Sequence, residues 1–256
     1  MMQRVCAVRE NQLVAENIYV LRLTCGEIAG SARAGQFINV RTADGIEPLL
    51  RRPFSIYRTE GDDIEIIYNV VGKGTGALSR KRRGDALDVL GPLGVPFSFG
   101  SGDFETALLI GGGLGVAPLP MATSQVKALR KPFLTFLGSR TARYLAIQHL
   151  EHLHVATDDG TAGYHGNVVE LLEESDRINK YARPKVFACG PTPMLRAVAR
   201  FAEGVGWPCE VSLEGAMGCG FGICQGCPVE LVDGERTYAL MCKDGPVFDA
   251  RKIRIA

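Results

Sequence analysis

Four cysteines near the end of the chain restrict its fold and chemistry more than any other feature. Cys219, Cys224 and Cys227 are spaced C-x4-C-x2-C, and Cys242 follows fifteen residues after the third. Glycines stand at positions 218, 220, 222 and 226 among the first three. Because glycine lacks a Cβ atom, the backbone there can curl tightly and point N–H groups at the sulfur atoms. This spacing is typical of the four thiolates that hold a [2Fe–2S] cluster.

Other uses of these cysteines stay open at this stage. Four thiolates also suit structural zinc, although zinc sites more often combine two C-x2-C pairs and this chain has one. Cysteines without any metal are a further alternative. Disulfides are the least favoured, because the polar start Met-Met-Gln-Arg-Val-Cys is unlike a signal peptide and the cytosol keeps thiols reduced. We expect Cys6, Cys25 and Cys209 to be small, buried or half-buried hydrophobic side chains.

Composition excludes several classes of partner. The 256 residues carry a formal net charge of +1, which favours neither nucleic acid nor an anionic membrane surface. No apolar run approaches the roughly 20 residues that span a bilayer. We therefore expect a cytoplasmic protein with no nucleic-acid and no membrane partner.

The first part of the chain has the pattern of an antiparallel β-barrel. Short segments alternate apolar and polar residues with a period of two, which indicates β-strands. The clearest of them are residues 17–24, 36–41 and 63–71. Turn signals such as Asp44-Gly45 separate them. Several short strands at this spacing predict a small barrel over residues 1–100.

Two segments within the predicted barrel carry groups that bind anions. The first is Arg51-Arg52-Pro53-Phe54-Ser55, in which an arginine fork matches two phosphate oxygens and the serine adds a hydroxyl. The second is Gly72-Lys-Gly-Thr-Gly76, a turn that opens a helical stretch and offers free N–H groups. Each segment alone is equally well explained as an ordinary turn. Together, about twenty residues apart, they favour a diphosphate site.

From residue 101 the pattern changes to continuous apolar runs that alternate with helical stretches. The predicted strands are residues 106–111, 132–139, 153–157 and 185–191, and the predicted helices are 119–130 and 192–205. Continuous apolar strands are typical of a parallel sheet buried on both faces. A strand, a glycine-rich turn and a helix form a pyrophosphate site at residues 106–130. Residues 101–207 are therefore predicted to be a nucleotide-binding α/β domain.

The paired Arg-Pro-x-Ser and Gly-x-Gly-Thr segments resemble the ferredoxin-reductase superfamily, whose barrel binds FAD. The resemblance implies a multi-domain β plus α/β fold, with an antiparallel FAD-binding β-barrel, a parallel-sheet nucleotide-binding domain and a small C-terminal [2Fe–2S] module over residues 208–256. The flavin contacts that it implies are Arg52, Pro53, Phe54 and Ser55, then Ile67, Tyr68 and Asn69 by backbone atoms, and Gly74 and Thr75 at the diphosphate.

The same resemblance places a nicotinamide nucleotide at the carboxyl ends of the parallel strands. The implied contacts are Gly113, Gly115, Cys189, Gly190 and Pro191. Cys189 is equally well explained as a small residue packed beneath a turn. An acidic residue after the second strand of such a domain favours NAD, whereas this chain has Ser139-Arg140-Thr141. We expect NAD on the strength of the resemblance and leave NADP open.

The order of flavin barrel, nucleotide domain and cysteine module resembles the family of electron-transfer subunits of two-subunit, NAD-dependent dihydroorotate dehydrogenases. Members often have Ala-Cys-Gly-Ile-Gly-Ala-Cys around the first two cysteines, where this chain has Gly-Cys219-Gly-Phe-Gly-Ile-Cys224. The resemblance implies a catalytic FMN subunit that oxidises dihydroorotate in pyrimidine biosynthesis, in a heterotetramer. It implies no catalytic residue in this chain. The alternatives are a stand-alone NAD(P)H:ferredoxin or acceptor reductase, a subunit of another reductase complex, and a non-catalytic zinc-stabilised module.

Overall fold

The computed structural model describes residues 1–43, 45–232, 234 and 236–255. The turn predicted at Asp44-Gly45 lies partly outside these residues. The elements of the first part are β1 (Met2–Ala15), β2 (Ile18–Thr24), α1 (Gly26–Ser31), β3 (Phe37–Arg41), β4 (Arg52–Glu60), β5 (Asp63–Asn69), α2 (Lys73–Leu78) and β6 (Ala86–Leu93). Those of the second part are β7 (Thr106–Gly112), α3 (Leu119–Ala128), β8 (Phe133–Ser139), β9 (Leu153–Thr157), β10 (Tyr164–His165), α4 (Val168–Asn179), β11 (Pro184–Cys189) and α5 (Thr192–Gly204). The last are β12 (Cys209–Ser212), β13 (Pro228–Glu230), β14 (Tyr238–Leu240), α6 (Met241–Asp244) and β15 (Val247–Asp249).

The first six strands close into an antiparallel barrel in the order β1-β2-β5-β4-β3-β6. Its strands alternate buried and less buried residues because one face of each strand points into the barrel. Aliphatic side chains fill the interior, with Leu21, Ile38, Ile56 and Ile66 all fully buried. The predicted barrel is confirmed.

A seven-stranded sheet follows, in the order β10-β9-β8-β7-β11-β12-β15, and all its pairings are parallel except the last. Strand β7 lies near the centre and is buried along its whole length, as its continuous apolar sequence predicts. Helices α4 and α5 contact each other on the sheet, while α3 packs against both β7 and the barrel strand β4. Helix α3 is therefore packed between the barrel and the sheet.

The cysteine segment is an excursion from the edge of this sheet. Strand β12 pairs with β11, the chain then leaves the sheet for residues 213–246, and β15 returns antiparallel to β12. The excursion contains the β13–β14 hairpin, with Cys227 just before it and Cys242 just after it. It also contacts the barrel exit, where Val95 N donates to Gly245 O at 2.6 Å. The sheet and the cysteine segment are thus interleaved.

Two cysteines of the barrel lie side by side in its core. Cys6 is 1% exposed and Cys25 is 6% exposed, as predicted, but the structure also joins them by a disulfide across 19 residues. The sequence did not predict this bond. No helix within the described ranges is long and apolar enough to cross a lipid bilayer.

Candidate electron-transfer site

A cavity of about 380 Å³ opens between the barrel and the sheet. The residues of the predicted flavin set that line it are Arg52, Pro53, Phe54, Ser55, Ile67, Tyr68, Asn69 and Thr75. They come together because β4 and β5 are neighbours in the barrel and α2 follows β5 directly. The sequence-based set is therefore one contiguous surface.

The end of this cavity near α2 is built to admit an anion. A Cβ atom on Gly74 would lie 3.2 Å from Arg52 Nε and 3.4 Å from Thr42 Oγ1, so glycine leaves the approach to both groups open. The Thr42 hydroxyl is buried and has no hydrogen-bond partner among the described residues. Arg51, in contrast, is bound to Asp88 at 2.5 Å and is not part of this surface.

Thr75 and Tyr68 line the cavity with their hydroxyl groups already engaged. Thr75 Oγ1 accepts from Val71 N at 2.9 Å and Gly72 N at 3.2 Å, so it closes the turn before α2. The Tyr68 hydroxyl donates to Asn11 Oδ1 at 3.0 Å, while its ring packs edge-on against Phe54. Tyr68 therefore offers its ring and backbone to a ligand, and the backbone contacts at residues 67–69 stay a prediction.

A second cavity of about 650 Å³ lies at the carboxyl ends of β7, β8, β9 and β11. Gly113, Gly115 and Pro191 of the predicted nicotinamide set line it. The carboxyl edge of a parallel sheet is where open α/β folds bind nucleotides, because the glycine-rich turns and helix starts collect there. This position supports the nucleotide-binding prediction.

Cys189 and Gly190 lie beneath that surface. A Cβ atom on Gly115 would be only 2.0 Å from Cys189 O and 2.5 Å from Gly190 Cα, so the glycine-rich turn packs directly on the end of β11. Cys189 is 1% exposed, and burial raises the pKa of its thiol above the ordinary value. A buried, protonated thiol supports the turn, which favours the packing interpretation of this cysteine.

The two cavities share a wall. Asn69, Leu114 and Glu214 line both of them, so a group in one cavity adjoins a group in the other. Glu214 was not predicted as a site residue, although it begins the cysteine motif. Solvent reaches its side chain through the open cleft, but protein surrounds it on most sides, and this desolvation raises the pKa of its carboxyl.

Charged residues occupy the far end of the nucleotide cavity. Arg140 and Asp158, which follow β8 and β9, both line it, and the Arg140 guanidinium lies 5.8 Å from the centre of the Tyr144 ring. An acidic residue that favours NAD was expected after the second strand, whereas Asp158 follows the third strand, β9. Because these strands are neighbours, their carboxyl ends meet at one point.

The four tail cysteines form two pairs. The N–H groups of Cys219 and Cys224 each lie 3.5 Å from the sulfur of the other residue, and the Cys227 and Cys242 sulfurs are 3.3 Å apart. Each iron of a [2Fe–2S] cluster takes two thiolates, so two neighbouring pairs are the required donor set. In the part of the chain that the structure describes, no group of three or more Cys, His, Asp or Glu is arranged around a single metal ion. The two pairs are the donors that a [2Fe–2S] cluster would take.

The local electrostatics favour the thiolate form of Cys219, in the first pair. Although burial raises the pKa of Cys219, N–H groups of Cys224 and Phe221 lower it to about 6, which favours the thiolate. Burial of Cys242, its hydrogen bond with Cys227 and the charges of Cys227 and Cys219 raise its pKa to about 12. The charges of Cys227 and Cys219 therefore disfavour a thiolate at Cys242. A cationic metal centre would relieve that repulsion.

A flavin-sized cavity on a β-barrel, a nucleotide cavity on a parallel sheet and a paired cysteine loop define an oxidoreductase component of the ferredoxin-reductase type. Residues 214–254 match the family model described as the iron–sulfur cluster binding domain of dihydroorotate dehydrogenase B. The chain is 37% identical over 254 residues to the dihydroorotate dehydrogenase B (NAD(+)) electron transfer subunit of Geobacillus kaustophilus, covering 96% of each chain. It is 33% identical over 257 residues to that of Fusobacterium nucleatum, covering 98% of each. The chain belongs to this family of electron transfer subunits.

Solved structures agree with this fold. A chain of the NADH-dependent reduced ferredoxin-NADP oxidoreductase, solved to study flavin-based electron bifurcation, matches with a TM-score of 0.85 and 28% identity. The match covers 97% of this chain and 89% of that one. The ferredoxin reductase of carbazole 1,9a-dioxygenase matches with a TM-score of 0.67 and 22% identity, over 81% and 67% of the two chains, which supports the fold alone.

These matches confirm the predicted family, the fold class and the oxidoreductase role, and at the level of the family the cofactor set of FAD, a [2Fe–2S] cluster and NAD. An electron transfer subunit also implies a catalytic partner subunit. The individual contact residues and the domain boundaries stay predictions.

Proposed function

We propose that this chain relays electrons between NAD(H) and an FMN-containing dihydroorotate dehydrogenase subunit, through FAD and a [2Fe–2S] cluster, in a cytoplasmic heterotetramer. The name of its relatives, with NAD(+) and an electron transfer subunit, supports the cofactor and the partner. We assign the FAD unit to residues 1–100, the NAD unit to 101–207 and the cluster unit to 208–256, with β12 and β15 adding two strands to the NAD sheet.

The observation that carries the proposal is the contiguity of the three sites. The flavin and nucleotide cavities share Asn69, Leu114 and Glu214. The chain then runs from Glu214 through Gly215 and Met217, which line the flavin cavity, directly into the cysteine loop at Cys219. A flavin bound between the other two sites would therefore exchange electrons with both of them.

The residues of this chain would hold the cofactors, orient them and shield them from water. When bound, FAD exchanges two electrons with a nicotinamide and one at a time with an iron–sulfur cluster. Arg52 would hold the diphosphate, while the rings of Phe54 and Tyr68 would shield the flavin from water. Desolvation raises the pKa of the Glu214 carboxyl, which lies where the two cavities meet.

The outlet towards the partner lies at the exposed cysteine. Cys224 is exposed and Cys219 is half-buried, whereas Cys227 and Cys242 are buried. Ile223, next to the exposed ligand, is 75% exposed. An exposed apolar side chain beside a redox centre suits a protein partner, and Ile223 is one of the positions where this chain departs from the familiar motif. We assign this edge to the catalytic subunit.

The test is a purification with the candidate catalytic subunit followed by a Cys224→Ser comparison. The wild-type complex is expected to contain FAD, iron and acid-labile sulfide, and to couple dihydroorotate oxidation to NAD reduction. Cys224→Ser should abolish that coupling but keep NADH-dependent dye reduction by the flavin. Cys209→Ala, a buried cysteine outside the loop, is the control and should keep both activities. A colourless preparation with stoichiometric zinc would refute the relay.

A second candidate is an NAD(P)H:ferredoxin reductase, either stand-alone or as a subunit of a different reductase complex. The 0.85 TM-score to the NADH-dependent reduced ferredoxin-NADP oxidoreductase favours it, since that match covers nearly the whole chain. The same purification separates the two proposals. A stable complex that oxidises dihydroorotate supports the first, and an FAD- and cluster-loaded chain that reduces soluble ferredoxin with NADH or NADPH but forms no such complex supports the second.

A further inference from the structure

One buried amide connects the cysteine loop to the flavin barrel. Asn39 lies in β3 and is 1% exposed. Its Nδ2 donates to the backbone oxygen of Cys219 at 3.0 Å. Across the β3–β4 ladder its partner is Pro53, which lines the flavin cavity. A single side chain therefore lies between a cluster ligand and the strand that forms the flavin site.

The loop is shaped around this side chain. Gly220, the residue after the first ligand, has a φ of +81°, and a Cβ atom there would lie 1.9 Å from Asn39 Nδ2. Any residue other than glycine would both strain the backbone and push the loop away from β3. The close approach of Gly220 and the hydrogen bond to Cys219 therefore fix the contact between the cysteine loop and Asn39 in two separate ways.

The chemistry of Asn39 also argues against a simple packing role. Its Oδ1 is buried and has no hydrogen-bond partner within the described ranges. A buried polar atom without a partner costs free energy, so a leucine of similar shape would fill this space more favourably. What asparagine adds, and leucine cannot, is the donor to Cys219.

We propose that Asn39 is a positioning residue that clamps the Cys219 loop to the flavin-binding strand and so sets the separation between the flavin and the cluster. The inference rests on the proposed relay. Groups behind the direct ligands orient them and tune the metal centre. The rate of electron transfer falls steeply with distance, so a loosened loop slows the passage of each electron from reduced flavin to oxidised cluster without affecting hydride transfer from NADH to flavin.

The test uses the full chain with Asn39→Leu, which removes the donor and keeps the volume. Thr123→Val is the matched control, because Thr123 is also buried with an unpartnered hydroxyl but lies in α3, outside both cavities. Rapid mixing with NADH separates flavin reduction from cluster reduction by absorbance. FAD, iron and sulfide contents, and the electron paramagnetic resonance spectrum of the reduced cluster, are measured on the same samples.

Asn39→Leu is expected to retain FAD and to reduce it at the wild-type rate, with cluster reduction at least about tenfold slower and a shifted resonance spectrum. Thr123→Val should match wild type in all readouts. Should Asn39→Leu fail to fold, Gly220→Ala tests the same contact from the loop side with the barrel sequence intact, and the same split is expected.

Wild-type cluster reduction and an unchanged spectrum in a cluster-loaded Asn39→Leu or Gly220→Ala protein would overturn the inference. A wild-type chain that lacks FAD or cluster would instead refute the proposed function, so the two failures are distinguishable.

Discussion

Gly115→Ala tests how closely the nucleotide cavity depends on one backbone contact. The new Cβ atom would lie 2.0 Å from Cys189 O, and ordinary van der Waals contact begins at 3.4 Å. The glycine-rich turn and the end of β11 must therefore separate by about 1.4 Å. Both partners at this contact are backbone, so no side chain can rotate away to relieve the clash.

The expected loss can be estimated from that shift. A misplacement of about 1 Å at a reacting centre costs on the order of 10²-fold in rate. Overpacking of a tight interior costs roughly 1–3 kcal/mol of stability. We expect Gly115→Ala to weaken NADH binding and flavin reduction by NADH at least about tenfold and to lower the Tm by several degrees. FAD content should fall less than NADH binding, because β4 and β5 supply most of the flavin cavity and only Leu114 and Ala117 come from this turn.

The assay combines NADH titration, rapid-mixing flavin reduction, FAD content and thermal unfolding. Gly30→Ala is the control, because a Cβ atom there meets nothing within 4 Å and alanine favours the helix at that position. Unchanged NADH binding and unchanged Tm in Gly115→Ala would show that the turn and the strand end are not in rigid contact, and the description of this cavity would be wrong.

Two further predictions concern charge. Asp158→Ser should raise the kcat/KM for NADPH relative to that for NADH by at least about tenfold. The reason is that the Asp158 carboxylate and the 2′-phosphate of NADPH carry like charges, which repel by roughly 1–4 kcal/mol at about 4 Å near a surface. An unchanged ratio would mean that Asp158 does not face the ribose. Burial alone would raise the pKa of Glu65, but hydrogen bonds from Arg58 and Arg22, both at 2.7 Å, lower it below the ordinary value. The stability that Glu65 contributes is therefore complete above pH ~4.5 and lost as the pH falls through its folded pKa. The Tm of Glu65→Gln should consequently fall less than that of wild type as the pH is lowered. Parallel curves of Tm against pH for the two proteins would contradict this role of Glu65.

Local patterns were sufficient for most of the secondary structure. The alternating segments at 17–24, 36–41 and 63–71 became β2, β3 and β5, and the apolar run at 106–111 became β7. These elements follow from side-chain periodicity, which is a property of neighbouring residues. Strands β12 and β15 lacked such a signal, because each has only three or four residues and a period cannot be read from so few.

Site residues divide in the same way. Phe54, Ser55 and the four cysteines stand in motifs, so their chemistry and spacing were visible without coordinates. Asp158 and Asn39 stand in no motif, and Glu214 begins the cysteine motif without a role that the motif would reveal. Each acquires a role only because another part of the chain packs beside it: the flavin cavity beside Glu214, β8 beside the end of β9, and the cysteine loop against Asn39.

The sequence by itself determined the kinds of group that this protein can hold, since ligand type and spacing are written in short segments. Only the tertiary structure decided that the thiols meet as two pairs, that the two cavities share a wall, and that one amide of the barrel bonds to the cysteine loop. The physical reason is that these contacts join residues up to 180 positions apart, and their geometry depends on the packing of the barrel, the sheet and the excursion between β12 and β15.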